Sequence, residues 1–486
     1  GWDNVPATGR IPYDSSVAPL GGHAFAVVAY DADGFWIQNS WGTDWGKKGF
    51  GHVAYEDWLK NATDVWVARL GVPTTASSRR SASTTAFGVS ARARASAVEE
   101  VRAHVVSLGN DGELRPNGNI GTTEEQLRKT NHEDLPRVMK NWVKRRVVLY
   151  AHGGLVSEEG AVQRVAEYRE PMLQSQCYPL AFIWHTDYLS TLVNILTEAL
   201  RLRRPEGFIE GAKDFLLDRL DDALEPIARK LTGKASWDEM KENALAATES
   251  ERGGARFVIG ELAKLVSGTQ GLEFHVVAHS AGAILLAPLV RRLTGAVADG
   301  GLGQTIQSCT LWAPACTTAL FEQTYAPAIE NGSIKRFALY TLTDKAERDD
   351  NCGRLYNKSL LYLVSHAFER RARILVFHPD GEPLLGMERY AKENAAVKRL
   401  LNKGLMDLVL APNDKPLGDI GATAANAHAA FDDDKATVLS TLARVVGKKT
   451  AAGPAKAALS IRVGKTRLSR ARQELNQLDV VVVNRT

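Results

Sequence analysis

The chain has 486 residues, enough for two or three domains at roughly 100–200 residues each, and its 44% apolar and 24% charged residues exclude a disordered or fibrous chain. A net charge of +4 gives no electrostatic reason to expect a nucleic-acid partner, and no apolar run approaches the ~20 residues of a membrane span. Four irregularly placed cysteines, Cys177, Cys309, Cys316 and Cys352, make neither a disulfide framework nor a zinc site. That cysteine usage favours a reducing compartment such as the cytoplasm, and no metal or cofactor is expected. The chain opens at Gly1-Trp2-Asp3 without Met or a signal-like segment, and reads as a fragment or a processed product.

In chain order, the first pattern is Gly21-Gly22-His23 running into the strand-like Ala24–Tyr30. The turn residues Asp31-Ala32-Asp33-Gly34 follow, then the returning strand Phe35-Trp36-Ile37-Gln38-Asn39-Ser40-Trp41-Gly42. A His at the start of one strand and an Asn at the end of its hairpin partner meet in space, where the Asn side chain can fix the imidazole tautomer. This combination resembles the C-terminal half of the papain-like cysteine peptidases over roughly residues 17–70, an α+β domain represented here by its β-rich half. The resemblance implies that His23 is the general base, Asn39 orients it and Trp41 shields their bond from water. It also implies a Cys nucleophile and an oxyanion Gln well upstream of the His, and none of the four cysteines stands in a comparable context. The module is therefore expected to be incomplete without the upstream half of the domain as its partner.

Residues 71–97 are rich in Ser, Thr, Ala and Arg and read as a flexible linker. Ordered patterning resumes with Val101–Leu108, an Asn110-Asp111-Gly112 turn and Glu113-Leu114, which read as a hairpin. The apolar run Arg146–Ala151 reads as a buried strand leading into His152-Gly153-Gly154-Leu155. A helix is expected over Glu158–Gln174, a strand over Leu180–Trp184, a helical insertion over about 189–247 and a helix over Ala255–Val266. Then comes Phe274-His275-Val276-Val277-Ala278-His279-Ser280-Ala281-Gly282-Ala283, followed by the helical Ile284–Val290. A buried strand turning sharply into a helix, with small residues at the turn, is the pattern of a nucleophile elbow that exposes one serine hydroxyl. Further strands are expected at Ser308–Ala313, Arg336–Leu342 and Arg373–Phe377. Strands alternating with helices over such a span predict a doubly wound, mostly parallel α/β sheet.

With elbow, sheet and His-Gly-Gly loop together, residues 98–447 resemble an α/β-hydrolase. In that family the acid follows the seventh strand and the His follows the eighth, which implies Ser280 as nucleophile, Asp344 as acid and His428 as base. Glu347, Asp349 and Asp350 are rival acids. His378 is the rival base, although its Phe-His-Pro-Asp-Gly setting also reads as a turn. His366 and His279 read as packing residues. The backbone N–H of Ala281 and the Gly153-Gly154-Leu155 turn are the expected oxyanion donors. The function implied is hydrolysis of an ester, thioester or amide in a small acyl or peptide substrate. The alternative is a non-catalytic scaffold built from degenerate modules. The substrate is not legible, and residues 448–486 form a basic tail without an assigned role.

Overall fold

The computed structural model describes residues 2–14, 16–17, 23–62, 101–117, 120–154, 158–184, 225–351, 356–371 and 380–448. The expected linker over 71–97, most of the insertion, the strand expected at 373–377 and nearly all of the tail lie outside these residues. The chain divides into two compact units, 1–87 and 88–486.

In the first unit, β1 (Ala26–Tyr30), β2 (Gly34–Gln38) and β3 (Phe50–Ala54) form an antiparallel sheet in that order, followed by helix α1 (Tyr55–Asn61). The Asp31 carboxylate builds the β1–β2 turn by accepting from the backbone N–H of Asp33 (2.9 Å) and Gly34 (3.1 Å). Position 34 must be glycine, because a Cβ there would stand 2.1 Å from the Val53 carbonyl oxygen. Ile11, Ile37, Trp45 and Val53 form a small core. The apolar edge strand β1 is left uncovered, with Val27 44%, Val28 49% and Tyr30 79% exposed.

The second unit is a mixed α/β structure with a seven-stranded sheet flanked by helices. Its strands are β4 (Val105–Leu108), β5 (Arg145–Ala151), β6 (Cys177–Trp184), β7 (Leu272–His279), β8 (Ile306–Trp312), β9 (Phe337–Leu342) and β10 (Met406–Ala411). The order is β10-β9-β8-β7-β5-β6-β4, with every pairing parallel. Val147–Ala151, Phe274–Ala278 and Phe337–Leu342 are buried residue after residue, as expected when helices cover both faces of a parallel sheet. The Val101–Leu114 segment forms a short hairpin return, with an antiparallel Leu108–Leu114 bridge and backbone bonds from Gly109 N–H to the Glu113 carbonyl (2.9 Å) and from Arg115 N–H to the Ser107 carbonyl (2.9 Å), while Val105–Leu108 itself pairs parallel with β6.

The helices that matter for the site are α2 (Glu158–Gln174), α3 (Lys234–Glu249), α4 (Gly254–Gly268), α5 (Gly282–Thr294), α6 (Thr318–Glu330) and α7 (Lys435–Val446). Helix α7 starts where the Asp434 carboxylate caps the N–H groups of Ala436 and Thr437, and stops at Gly447 in the left-handed region. Helix α3 is pinned by Trp237, whose indole N–H donates to the buried Glu369 carboxylate (2.7 Å), and by Lys241 on its other oxygen (2.8 Å).

The chain builds β4 to β6 on one side of the sheet, then crosses to β7 and continues outward to β10. The strand order therefore reverses between β5 and β7. At such a switch point the connections leaving the carboxyl ends of neighbouring strands run apart and open a crevice.

Candidate active site

Ser280 stands at the carboxyl end of β7, one strand from the end of β5. Its φ is +51°, a left-handed conformation that costs a residue bearing a Cβ roughly 1–2 kcal/mol. The surrounding bonds hold it there. Its N–H donates to the Trp312 carbonyl (2.9 Å), and its own carbonyl accepts from Ala315 (3.0 Å) and Ala283 (3.1 Å). Gly282 is required for the turn, since a Cβ would lie 2.4 Å from the Ala151 carbonyl oxygen. The strand thus turns into α5 within two residues.

His428 opens a short 3₁₀ turn, His428–Ala430, after the long connection from β10. Its Nε2 lies 2.9 Å from the Ser280 Oγ, and both side chains are buried. The expected base therefore meets the expected nucleophile. The strand that precedes it is β10, a segment the sequence did not single out, and His378 lies outside the described residues.

The carboxylate that contacts His428 is not Asp344, the acid expected from the sequence. Thr343 caps a short helix, Asp344–Asp349, by accepting from the Ala346 N–H (3.2 Å). Asp344 therefore lies in the first turn of that helix, where it accepts from the Tyr362 hydroxyl (2.6 Å) and pairs with Arg348 (2.9 Å). Asp350, at the other end of the helix, reaches His428: its Oδ2 accepts from the His428 backbone N–H at 2.8 Å. Asp349 is an exposed partner of Lys345.

Glu347 is fully buried, accepts from the Ser359 hydroxyl, and has its carboxyl pushed up to about 8, by burial first and then by the neighbouring Asp350 and Asp344. Folded-state retention of a proton that the unfolded chain releases near its ordinary 4.5 stabilises the fold fully below that pH. The contribution falls as pH rises through the window and is gone above about 8. Glu347→Gln should remove this slope. In urea titrations between pH 5 and 8.5 the variant gains stability relative to the parent as pH rises, and parallel curves would show that Glu347 does not titrate in this way.

Gly153 and Gly154 lie against the nucleophile. A Cβ on Gly153 would stand 3.1 Å from the Ser280 Cβ, and one on Gly154 would stand 3.5 Å from the Ala281 Cβ and 3.0 Å from the Met240 sulfur of α3. The turn is fixed by the buried His152 ring, whose Nδ1 donates to the Gly153 carbonyl (2.7 Å) while its Nε2 accepts from the Trp184 N–H (3.3 Å). Ala281 is the N-cap of α5, and N–H groups at a helix start lack intrahelical partners and face the positive end of the dipole. Leu155, the third expected oxyanion position, lies outside the described residues.

Asp432, Asp433, Arg164 and Tyr168 were not read from the sequence as part of the site. In Asp432-Asp433-Asp434 only the last acid is needed to cap α7. Asp433 pairs with the buried Arg164 of α2. The Asp432 carbonyl accepts from the Tyr168 hydroxyl, also of α2, and its carboxylate lies 3.7 Å from the Nδ1 of His279. Burial pushes the Asp432 carboxyl up, but His279, Arg164 and His152 outweigh it and hold it below its ordinary range. Three acids in a row before a helix that needs one were the available signal.

A second Ser–His contact makes a useful contrast. The His275 Nδ1 lies 2.7 Å from the Ser308 Oγ, yet this pair bridges β7 and β8 inside the sheet. Burial first, and then the charges of Arg146 and Arg336, push the imidazole down to about 3. A ring so hard to protonate is a poor base, and no substrate reaches it.

In the first unit, the His23 Nε2 lies 2.7 Å from the Asn39 Oδ1, and the Trp41 ring lies over the imidazole at 4.8 Å between centroids. The thiols of Cys177, Cys309 and Cys316 are free and buried in the second unit. Burial pushes those of Cys177 and Cys316 up to about 12, so neither is a nucleophile near neutrality. Cys352 lies outside the described residues. Among the described residues there is no cluster of three or more metal-ligating side chains and no helix long and apolar enough to cross a membrane. Comparison of the chain with known protein families, curated proteins and solved structures returns no match.

Proposed function

We propose that the second unit is a serine hydrolase of the α/β-hydrolase type, cleaving an ester, thioester or amide through Ser280, His428 and Asp350. The observation that carries this reading is the strained Ser280, held at φ +51° with its hydroxyl 2.9 Å from an imidazole nitrogen. Backbone strain of this kind clusters at functional sites.

His428 takes the Ser280 proton through Nε2 as Oγ attacks the acyl carbon, and returns it to the leaving group. The imidazolium so formed needs a carboxylate on its Nδ1 side. Nδ1 is the ring nitrogen nearer the residue's own backbone, so a carboxylate bound to the His428 N–H is well placed to serve it. That assigns the acid's role to Asp350 and leaves Asp344 to the Tyr362–Arg348 contact. The oxyanion falls between the Ala281 N–H and the Gly153-Gly154 turn, where donors fixed before the reaction cost no reorganisation.

For the first unit we propose half of a papain-like cysteine-peptidase site, with His23 as base and Asn39 as its orienting partner. The bare apolar strand β1 supports a second half-domain as partner, since an edge of that kind is ordinarily covered.

A fluorophosphonate probe tests the hydrolase reading directly. One adduct per folded chain is expected, on the peptide containing Ser280, and it should vanish in denaturant. A folded chain that takes up no probe returns the unit to the scaffold reading.

A further inference from the structure

His428 follows a loop of some length, yet its Nε2 must stay within hydrogen-bond reach of Ser280. A shift of about 1 Å at a reacting group can cost on the order of 10²-fold in rate. Two side chains tie the backbone of this one residue. Asp350 takes its N–H at 2.8 Å, and the Nε2 of His279 lies 3.0 Å from its carbonyl oxygen. A carbonyl only accepts, so this contact puts a proton on the His279 Nε2, while Nδ1 faces the Asp432 carboxylate at 3.7 Å. That separation is too long for a hydrogen bond, and the contact attracts only when Nδ1 also carries a proton. His279 and Asp432 are both buried.

The placement couples two positions that the reaction needs fixed together. His279 is the last residue of β7 and is bonded covalently to Ser280, so whatever moves the nucleophile also moves the donor that holds the base. Asp432 sits in the His428 loop itself, and α2 clamps that loop through Tyr168 on the Asp432 carbonyl and Arg164 on the Asp433 carboxylate. The His279 ring therefore spans the loop from the His428 carbonyl to the Asp432 carboxylate. An apolar residue of similar size would fill the volume without either contact.

We infer that His279 is a positioning residue for the Ser280 reaction, holding the His428 main chain through its Nε2–H. The inference rests on the hydrolase reading, and its test is arranged to separate the two. Wild-type chain, His279→Leu, His279→Gln and His279→Asn are compared for the second-order rate of fluorophosphonate labelling and for kcat and KM on an activated ester. Glutamine keeps a donor near the Nε2 position, asparagine places it short, and leucine removes it. We expect His279→Leu and His279→Asn to lower kcat and the labelling rate by roughly 10²-fold with KM within about twofold, and His279→Gln to recover most of the loss.

An unlabelled wild-type chain overturns the hydrolase reading. A labelled wild type with all three variants equally fast, or with glutamine no better than asparagine, overturns only the positioning role. Should His279→Leu fail to fold, the glutamine and asparagine variants decide. Failure of His279→Gln to fold also overturns the inference, because the ring is then required for its packing and not for its donor.

Discussion

Replacing either Ser280 or His428 with alanine should lower the turnover of an activated ester on the order of 10⁴-fold or more, and replacing both should lower it little further. The reason is the 2.9 Å contact between the Ser280 Oγ and the His428 Nε2. A serine hydroxyl without a base is a weak nucleophile, and a base without the hydroxyl has no proton to take, so each substitution alone disables the same step. The measurement is kcat/KM for the two single variants and the double variant, with circular dichroism to establish folding. His378→Ala serves as the control and should stay within roughly tenfold, about 1.4 kcal/mol. Strict additivity of the two single losses would mean that the residues act in separate steps. Loss of activity in the His378→Ala control with activity retained in His428→Ala would move the base to His378.

The second large effect distinguishes the acids. Asp350→Asn should lower kcat on the order of 10⁴-fold, because an amide in place of the carboxylate favours the wrong tautomer of the base and no longer stabilises its cation. Asp344→Asn should cost less than roughly tenfold, since the Asp344 side chain is bound to Tyr362 and Arg348 and not to His428. The pH–rate profiles sharpen the comparison. The Asp350→Asn variant should recover part of its loss at alkaline pH, where hydroxide takes over the base's work, whereas a variant that merely perturbs folding gains nothing there. A larger loss from Asp344→Asn than from Asp350→Asn would restore the acid that strand counting alone suggests.

These two experiments fall where the sequence was and was not legible. The central strands could be read because both faces are covered, which turns Val147–Ala151 and Phe274–Ala278 into unbroken apolar runs. Strand β10 is the sheet's edge, and Met406–Ala411 carries an exposed Asp407 and half-buried Leu408 and Leu410 between its buried residues, so its pattern is weaker than that of 373–377. Ser280 was legible from the small residues that a tight turn demands. His428 was legible from its place before a capped helix. The carboxylate that reaches the His428 main chain was not, because Thr343 caps a helix that begins at Asp344 and runs to Asp349, which carries Asp350 to its far end. Chain order puts both carboxylates after β9, and only the fold separates them. The same holds for His279, whose neighbour in sequence is Ser280 but whose partner, the carbonyl of His428, is 149 residues away.

The left-handed backbone at Ser280 also bears on how this chain could change over generations. Glycine occupies that region without penalty, so replacing Ser280 with glycine would relieve local strain while removing the hydroxyl. A lineage no longer selected for the reaction therefore has a one-residue route to a more relaxed turn, and drift favours taking it. A descendant that keeps the sheet but carries glycine here would be recognisable as a fold retained for some other purpose.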